Sequence, residues 1–268
     1  MYTIRAALRG TSVMIFCAFI KSMTTAEYKR MLTSAWRLFD ACGLPAKDLC
    51  FLTDFQSAVL SARRSVFTES AHEGCLVHLH RAFNDQLKKK GMTDLLKTPE
   101  INTWISRLRA LFFLPVSMYT RSGLLSSPVD ATHSAHGKCI EWLHYFNTTW
   151  LSKQPQLTNK FLKEKHRTTN CIESWHSRLD ISFPGGTHPM LYDVIDYIRK
   201  KANADFVNLS YLLANPTFSH PGDPRDVVRR QQSYAHMVRF SNLISASTPS
   251  TPELLCYLDG MSQFCTRG

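Results

Sequence analysis

Two apolar runs at the start, YTIRAAL (2–8) and SVMIFCAFI (12–20), are separated only by Arg9-Gly10-Thr11. Both suit β-strands, and so short a gap predicts a hairpin. Thr24-Thr25-Ala26-Glu27 then opens a helix, with Thr24 as N-cap and Glu27 at the third helical position. Its apolar face carries Tyr28, Met31, Leu32, Ala35, Leu38 and Phe39, and it stops near Gly43-Leu44-Pro45. DLCFLT (48–53) reads as a short buried strand, FQSAVLSARRSVF as a helix, HEGCLV (72–77) as another strand and HLHRAFNDQLKKKG as a helix ending at Gly91. Strand, helix and strand again predict a mixed α/β sheet.

From Pro99 to about Gln156 the pattern turns helical, with INTWISRLRALFFLP and AHGKCIEWLHYFNTTWL and no clear strand. RTTNCIESWHSRL is a further helix, with Ile172, Trp175 and Leu179 as its buried face. A PGGTHP loop leads to a long helix from MLYDVIDYIRKK onward. Residues 216–226 read as a Pro-rich linker and SASTPSTP (245–252) as flexible low complexity.

The balance of 32 basic against 21 acidic residues gives a net charge of +11. The cations are dispersed in clusters at Arg63-Arg64, Lys88 to Lys90, Lys163 to Arg167, Arg199 to Lys201 and Arg229-Arg230. Such a chain suits a polyanion by counterion release, or is simply a basic soluble protein. No apolar run reaches the ~18 residues of a membrane span. The eight cysteines form no CxxC pair, and several sit in apolar runs, which suits free thiols better than a disulfide framework. The apolar start is followed by Lys21 without a small-residue cleavage site, so a secreted protein is not expected.

Asp54 ends a buried strand, where a carboxylate faces solvent and binds a hard cation; it equally suits the cap of the next helix. Glu173 has the same two readings, since with Asn170 as N-cap it takes the capping-box position. Cys75 and His78 make a Cys-x-x-His at a strand-to-helix junction, with His72 and His80 close by. A structural zinc needs four ligands, and no second close pair stands out, so a buried Cys beside a helix-start His is the simpler reading. Trp104, Trp142, Trp150 and Phe112-Phe113 stack on bases or fill a core; helical spacing favours the core.

LTDFQSAV (52–59), GCLVHLHRAF (74–83), ALFFLPV (110–116), YFNTTWL (145–151), RTTNCIESWH (167–176) and THPMLYDVIDYI (187–198) occur in this order. The series resembles the transposase domain of Mutator-like elements, the MULE transposases. That resemblance implies a ribonuclease H-like mixed sheet with an Asp-Asp-Glu site that holds two divalent cations, Mg²⁺ or Mn²⁺. It implies catalytic and metal-binding roles for Asp54 and Glu173, and family-signature positions at Cys75, His78, Asn170 and His176. It also implies a nuclear protein that acts on DNA at transposon terminal inverted repeats, as a homo-oligomer.

The family's first Asp lies on a strand ahead of the segment matched by YTIRAAL, and the sequence holds no counterpart. The expectation is a ribonuclease H-like core lacking its first strand, with weakened metal binding and little strand transfer. The alternative is a non-catalytic DNA-binding or assembly protein derived from a transposase. The expected layout is a first core part at 1–98, a helical insertion at 99–166, C-terminal helices completing the core at 167–215, and a linker and tail, partly flexible, at 216–268.

Overall fold

The computed structural model describes residues 1–152, 155–165, 167–183 and 189–265. Among the described residues the fold is mixed α/β, mostly helical, with two two-stranded sheets. The chain divides into two compact units: one of residues 1–50, 55–71 and 168–224, the other of 51–54, 72–167 and 225–268.

The first unit holds the hairpin. β1 (Tyr2–Leu8) pairs antiparallel with β2 (Thr11–Ala18), with a register shift between Ile4 and Arg5. The turn is tighter than the expected Arg9-Gly10-Thr11, because Thr11 already pairs with Leu8. Arg9 and Gly10 have φ of 41° and 81°, the left-handed pair that matches the twist of a two-residue hairpin. Arg9 adopts this conformation while its guanidinium donates to the carbonyls of Leu212 (2.6 Å) and Asn215 (3.0 Å).

α1 (Thr25–Ala41) starts as expected, with the Thr24 hydroxyl accepting from the Glu27 N–H. Tyr28, Met31, Leu32, Ala35 and Phe39 are buried, whereas Leu38 is exposed. The helix packs against α2 (Ser57–Val66), and Trp36 and Phe39 meet the buried ring of Phe67. α7 (Asn170–Ser182) and α8 (Leu191–Ala214) complete the unit, with α8 lying against β2. Asp205 on α8 fixes the hairpin by accepting from the Arg5 guanidinium and the Met14 N–H, each at 2.8 Å. Most of the expected PGGTHP loop lies outside the described residues.

β3 (Cys50–Thr53) pairs with β4 (Ala71–Gly74), all but the first residue of each strand falling in the second unit. The bonds Ala71 N–H to Leu49 O and Cys75 N–H to Thr53 O advance together along both strands, the register of a parallel pair joined through α2. Both strands are shorter than the sequence suggests: Asp48 belongs to a 3₁₀ turn, and Leu76 and Val77 have already entered α3 (Leu76–Lys89).

The helical stretch after Pro99 forms α4 (Pro99–Ala110), α5 (His136–Phe146) with a π-helical extension (Asn147–Leu151), and α6 (Pro155–Thr158). Its aromatics are core, as helical spacing predicts. Trp142 stacks on Phe146 and meets Phe83 and Trp104, and the Trp104 Nε1–H donates to Leu124 O at 2.9 Å.

The C-terminal part differs from the expected linker and tail. It folds as α9 (Pro224–Ala246) and α10 (Thr251–Ser262). SASTPSTP ends in a capping box, with Ser250 and Glu253 bonding each other's backbone N–H and Pro252 in the first turn. α10 packs on α4, and Arg107 grips Asp259 through two bonds of 2.6 and 2.7 Å.

Candidate functional site

Asp54 sits just beyond the end of β3, and its backbone carbonyl accepts from the Thr53 hydroxyl at 2.9 Å. It is not the cap of α2. That helix begins at Ser57 after Gln56, which makes no side-chain cap bond, because the chain leaves β3 through Asp54 and Phe55 before turning. Thr53 also joins the two strands from the side, its hydroxyl 2.9 Å from His72 Nε2.

Cys75 is the N-cap residue of α3, and His78 lies in the helix's first turn, as the strand-to-helix reading expects. The spacing brings the Cys75 Sγ and a His78 ring nitrogen within 4.8 Å of each other. A metal with bonds of ~2.0–2.3 Å to nitrogen and sulfur bridges such a pair after a small adjustment. Cys75 is buried and His78 half-buried. His80 faces the interior, where burial, and then the nearby Arg109 guanidinium, lower its pKa to about 4. It is a neutral core histidine at physiological pH.

The residue before Gly74 was not singled out in the sequence. Glu73 on β4 accepts from Lys160 Nζ at 3.1 Å and is also paired with Lys163. The Lys160 side chain is only 1% exposed. Burial lowers the Lys160 pKa while Glu73 opposes the shift; burial raises that of Glu73, but the two lysines outweigh it and hold the carboxyl below its usual range. Lys160 and Lys163 lie in NKFLKEKHR, which composition presents as a solvated basic run. Only the alternation of Phe161 and Leu162 with the lysines hints at burial.

Other expected basic clusters are partly internal as well. Arg63 is buried against Ser70, Arg167 lies over the Phe113 ring and donates to Ser233, and Lys90 pairs with Glu141.

In the first unit, Glu173 lies in the opening turn of α7, half-buried. The expected capping box with Asn170 does not form. Asn170 is already helical and Thr169 precedes it, so Glu173 falls one position too far along. Instead the Thr169 hydroxyl donates to the Glu173 carboxylate at 3.3 Å. Trp175 is the buried residue of the helix, with the Arg5 guanidinium 5.9 Å from its ring centroid; Ile172 and Leu179 are only half-buried. The His176 ring leans on Trp175, and burial lowers its pKa against the opposing charge of Asp180.

The donor chemistry is of two kinds. Asp54 and Glu173 offer hard oxygen ligands of the sort Mg²⁺ and Mn²⁺ take, whereas Cys75 and His78 are softer and suit zinc-like ions. All eight cysteines are free; Cys75, Cys139 and Cys265 are buried and Cys42, Cys50, Cys171 and Cys256 exposed. No helix among the described residues is long and apolar enough to cross a membrane.

No curated protein and no solved structure matches the chain. Residues 4–82, the stretch from β1 into α3, match the family model of the MULE transposase domain.

Proposed function

We propose that the chain is a transposase-type domain of ribonuclease H-like descent, built for divalent-metal-dependent phosphodiester chemistry on DNA. The match over residues 4–82 carries this reading, because it includes both Asp54 at the end of β3 and the Cys75/His78 pair at the start of α3. By family resemblance, Asp54 and Glu173 would hold Mg²⁺ or Mn²⁺. Cys75 and His78 would form a second, softer donor pair at the start of α3. When bound, the metal would supply Lewis-acid activation of a water or a 3′-hydroxyl and charge neutralisation at the leaving oxygen. The protein's part is to position its carboxylates: Thr169 donates to Glu173, and Thr53 steadies the end of β3.

These residues provide two of the three carboxylates implied by the family resemblance, so the activity expected of them alone is weak nicking rather than full strand transfer at terminal inverted repeats. Plasmid nicking in Mg²⁺ or Mn²⁺ tests this. Asp54→Ala and Glu173→Ala should each remove the metal-dependent product, and nicking that survives both substitutions overturns the assignment. The net charge of +11 favours a second reading, a DNA-binding protein without chemistry. That reading is supported if DNA binding falls steeply with salt while no metal-dependent product forms.

A further inference from the structure

The geometry points to a single-stranded nucleic-acid binding groove on the first unit, formed by the end of β2 and the outer face of α1. The groove is open, with a volume of about 730 Å³. Phe16, Phe19 and Ile20 give it an apolar wall, and Lys29, Arg30 and Arg37 line the helical side. The Phe19 side chain is 51% exposed at the end of the hairpin. A ring in that position costs hydrophobic free energy while it faces water, and regains it when another flat surface covers it.

The cations make the choice of occupant. Lys29, Arg30 and Arg37 all face solvent, and Lys29 and Arg37, two turns apart on α1, stand about 12 Å from each other along the axis. Glu27 is the one carboxylate in the lining, and it is already taken by Arg30 at 3.0 Å. Lys29 and Arg37 have no carboxylate partner among the described residues. A half-exposed aromatic ring beside two cations without a carboxylate partner, Lys29 and Arg37, is an arrangement on which unstacked bases and their phosphates sit. A duplex keeps its base faces stacked and offers nothing to Phe19. An acidic peptide satisfies the cations but leaves the ring uncovered. The groove lies apart in sequence from Asp54 and Glu173 and needs no metal, so this activity stands whether or not the chain cuts DNA.

The test is fluorescence anisotropy with a labelled oligothymidine and the full chain, in EDTA. Phe19→Ala should weaken binding about fivefold or more, the lower end of one lost base stack, while leaving duplex binding and the circular dichroism spectrum unchanged. Lys29→Glu with Arg37→Glu should flatten the salt dependence by a slope of about 1.4, two phosphates on a single strand. Asp54→Ala should bind like the parent. Three results overturn the proposal: no binding of the oligonucleotide, unchanged binding by both groove variants, or equal competition by polyglutamate.

Discussion

Glu73 shows how a single carboxylate can set the state of its surroundings. It carries the buried Lys160 and the more exposed Lys163. Removing it leaves a buried ammonium without its partner. Glu73→Leu should therefore cost about 3–5 kcal/mol in urea unfolding, and adding Lys160→Met should restore most of the loss. Because the folded pKa of Glu73 is depressed, its stabilisation is present above the ordinary carboxylate range and is lost as pH falls through that range. His80 acts in the same direction over a higher window. Its folded pKa of about 4 lies below the ordinary 6.5, so the unfolded chain takes up the proton first. Stability should fall as pH drops from about 6.5 to 4, by at most about 3 kcal/mol. In His80→Gln the corresponding part of the pH slope should vanish, and a slope unchanged by the substitution would assign it to another group.

Elements fixed by local chemistry were legible in the sequence. The hairpin follows from two β-rich runs around Arg9-Gly10, and α1 from Thr24 and Glu27 at cap spacing. Gly10→Ala should damage the hairpin, because a Cβ there would lie 2.3 Å from the His220 carbonyl oxygen at a φ of +81°. Loss of more than about 1 kcal/mol is expected. The start of α10 carried the same kind of signal, Ser250-Thr251-Pro252-Glu253, but the surrounding Ser, Thr and Pro obscured it as low complexity. Ser250→Ala should lower stability by about 1 kcal/mol, measured by thermal unfolding. The helix starts near Asp54 and Glu173 lie two residues and one residue from the expected caps: after Asp54 the chain leaves β3 through Phe55 and Gln56 before turning, and α7 takes Thr169 rather than Asn170 as its N-cap.

For the molecule as a whole, net charge was legible but its use was not. Arg63, Lys160 and Arg167 look like surface cations in sequence, yet each is held by interior partners. For Lys160 and Arg167 the partner, Glu73 or Ser233, is distant in sequence, and spacing does not reveal such pairs. The candidate site is similar. Cys75 and His78 are neighbours along α3 and were found from their spacing, whereas a shared role for Asp54 and Glu173 rests on family resemblance. The central claim is that these two carboxylates hold one divalent ion. Its most direct test is Mn²⁺ titration of the full chain, followed by electron paramagnetic resonance. Saturable binding that is lost in both Asp54→Asn and Glu173→Gln, with folding intact, is the expected result. Binding that is absent from the parent chain, or untouched by either substitution, would contradict it.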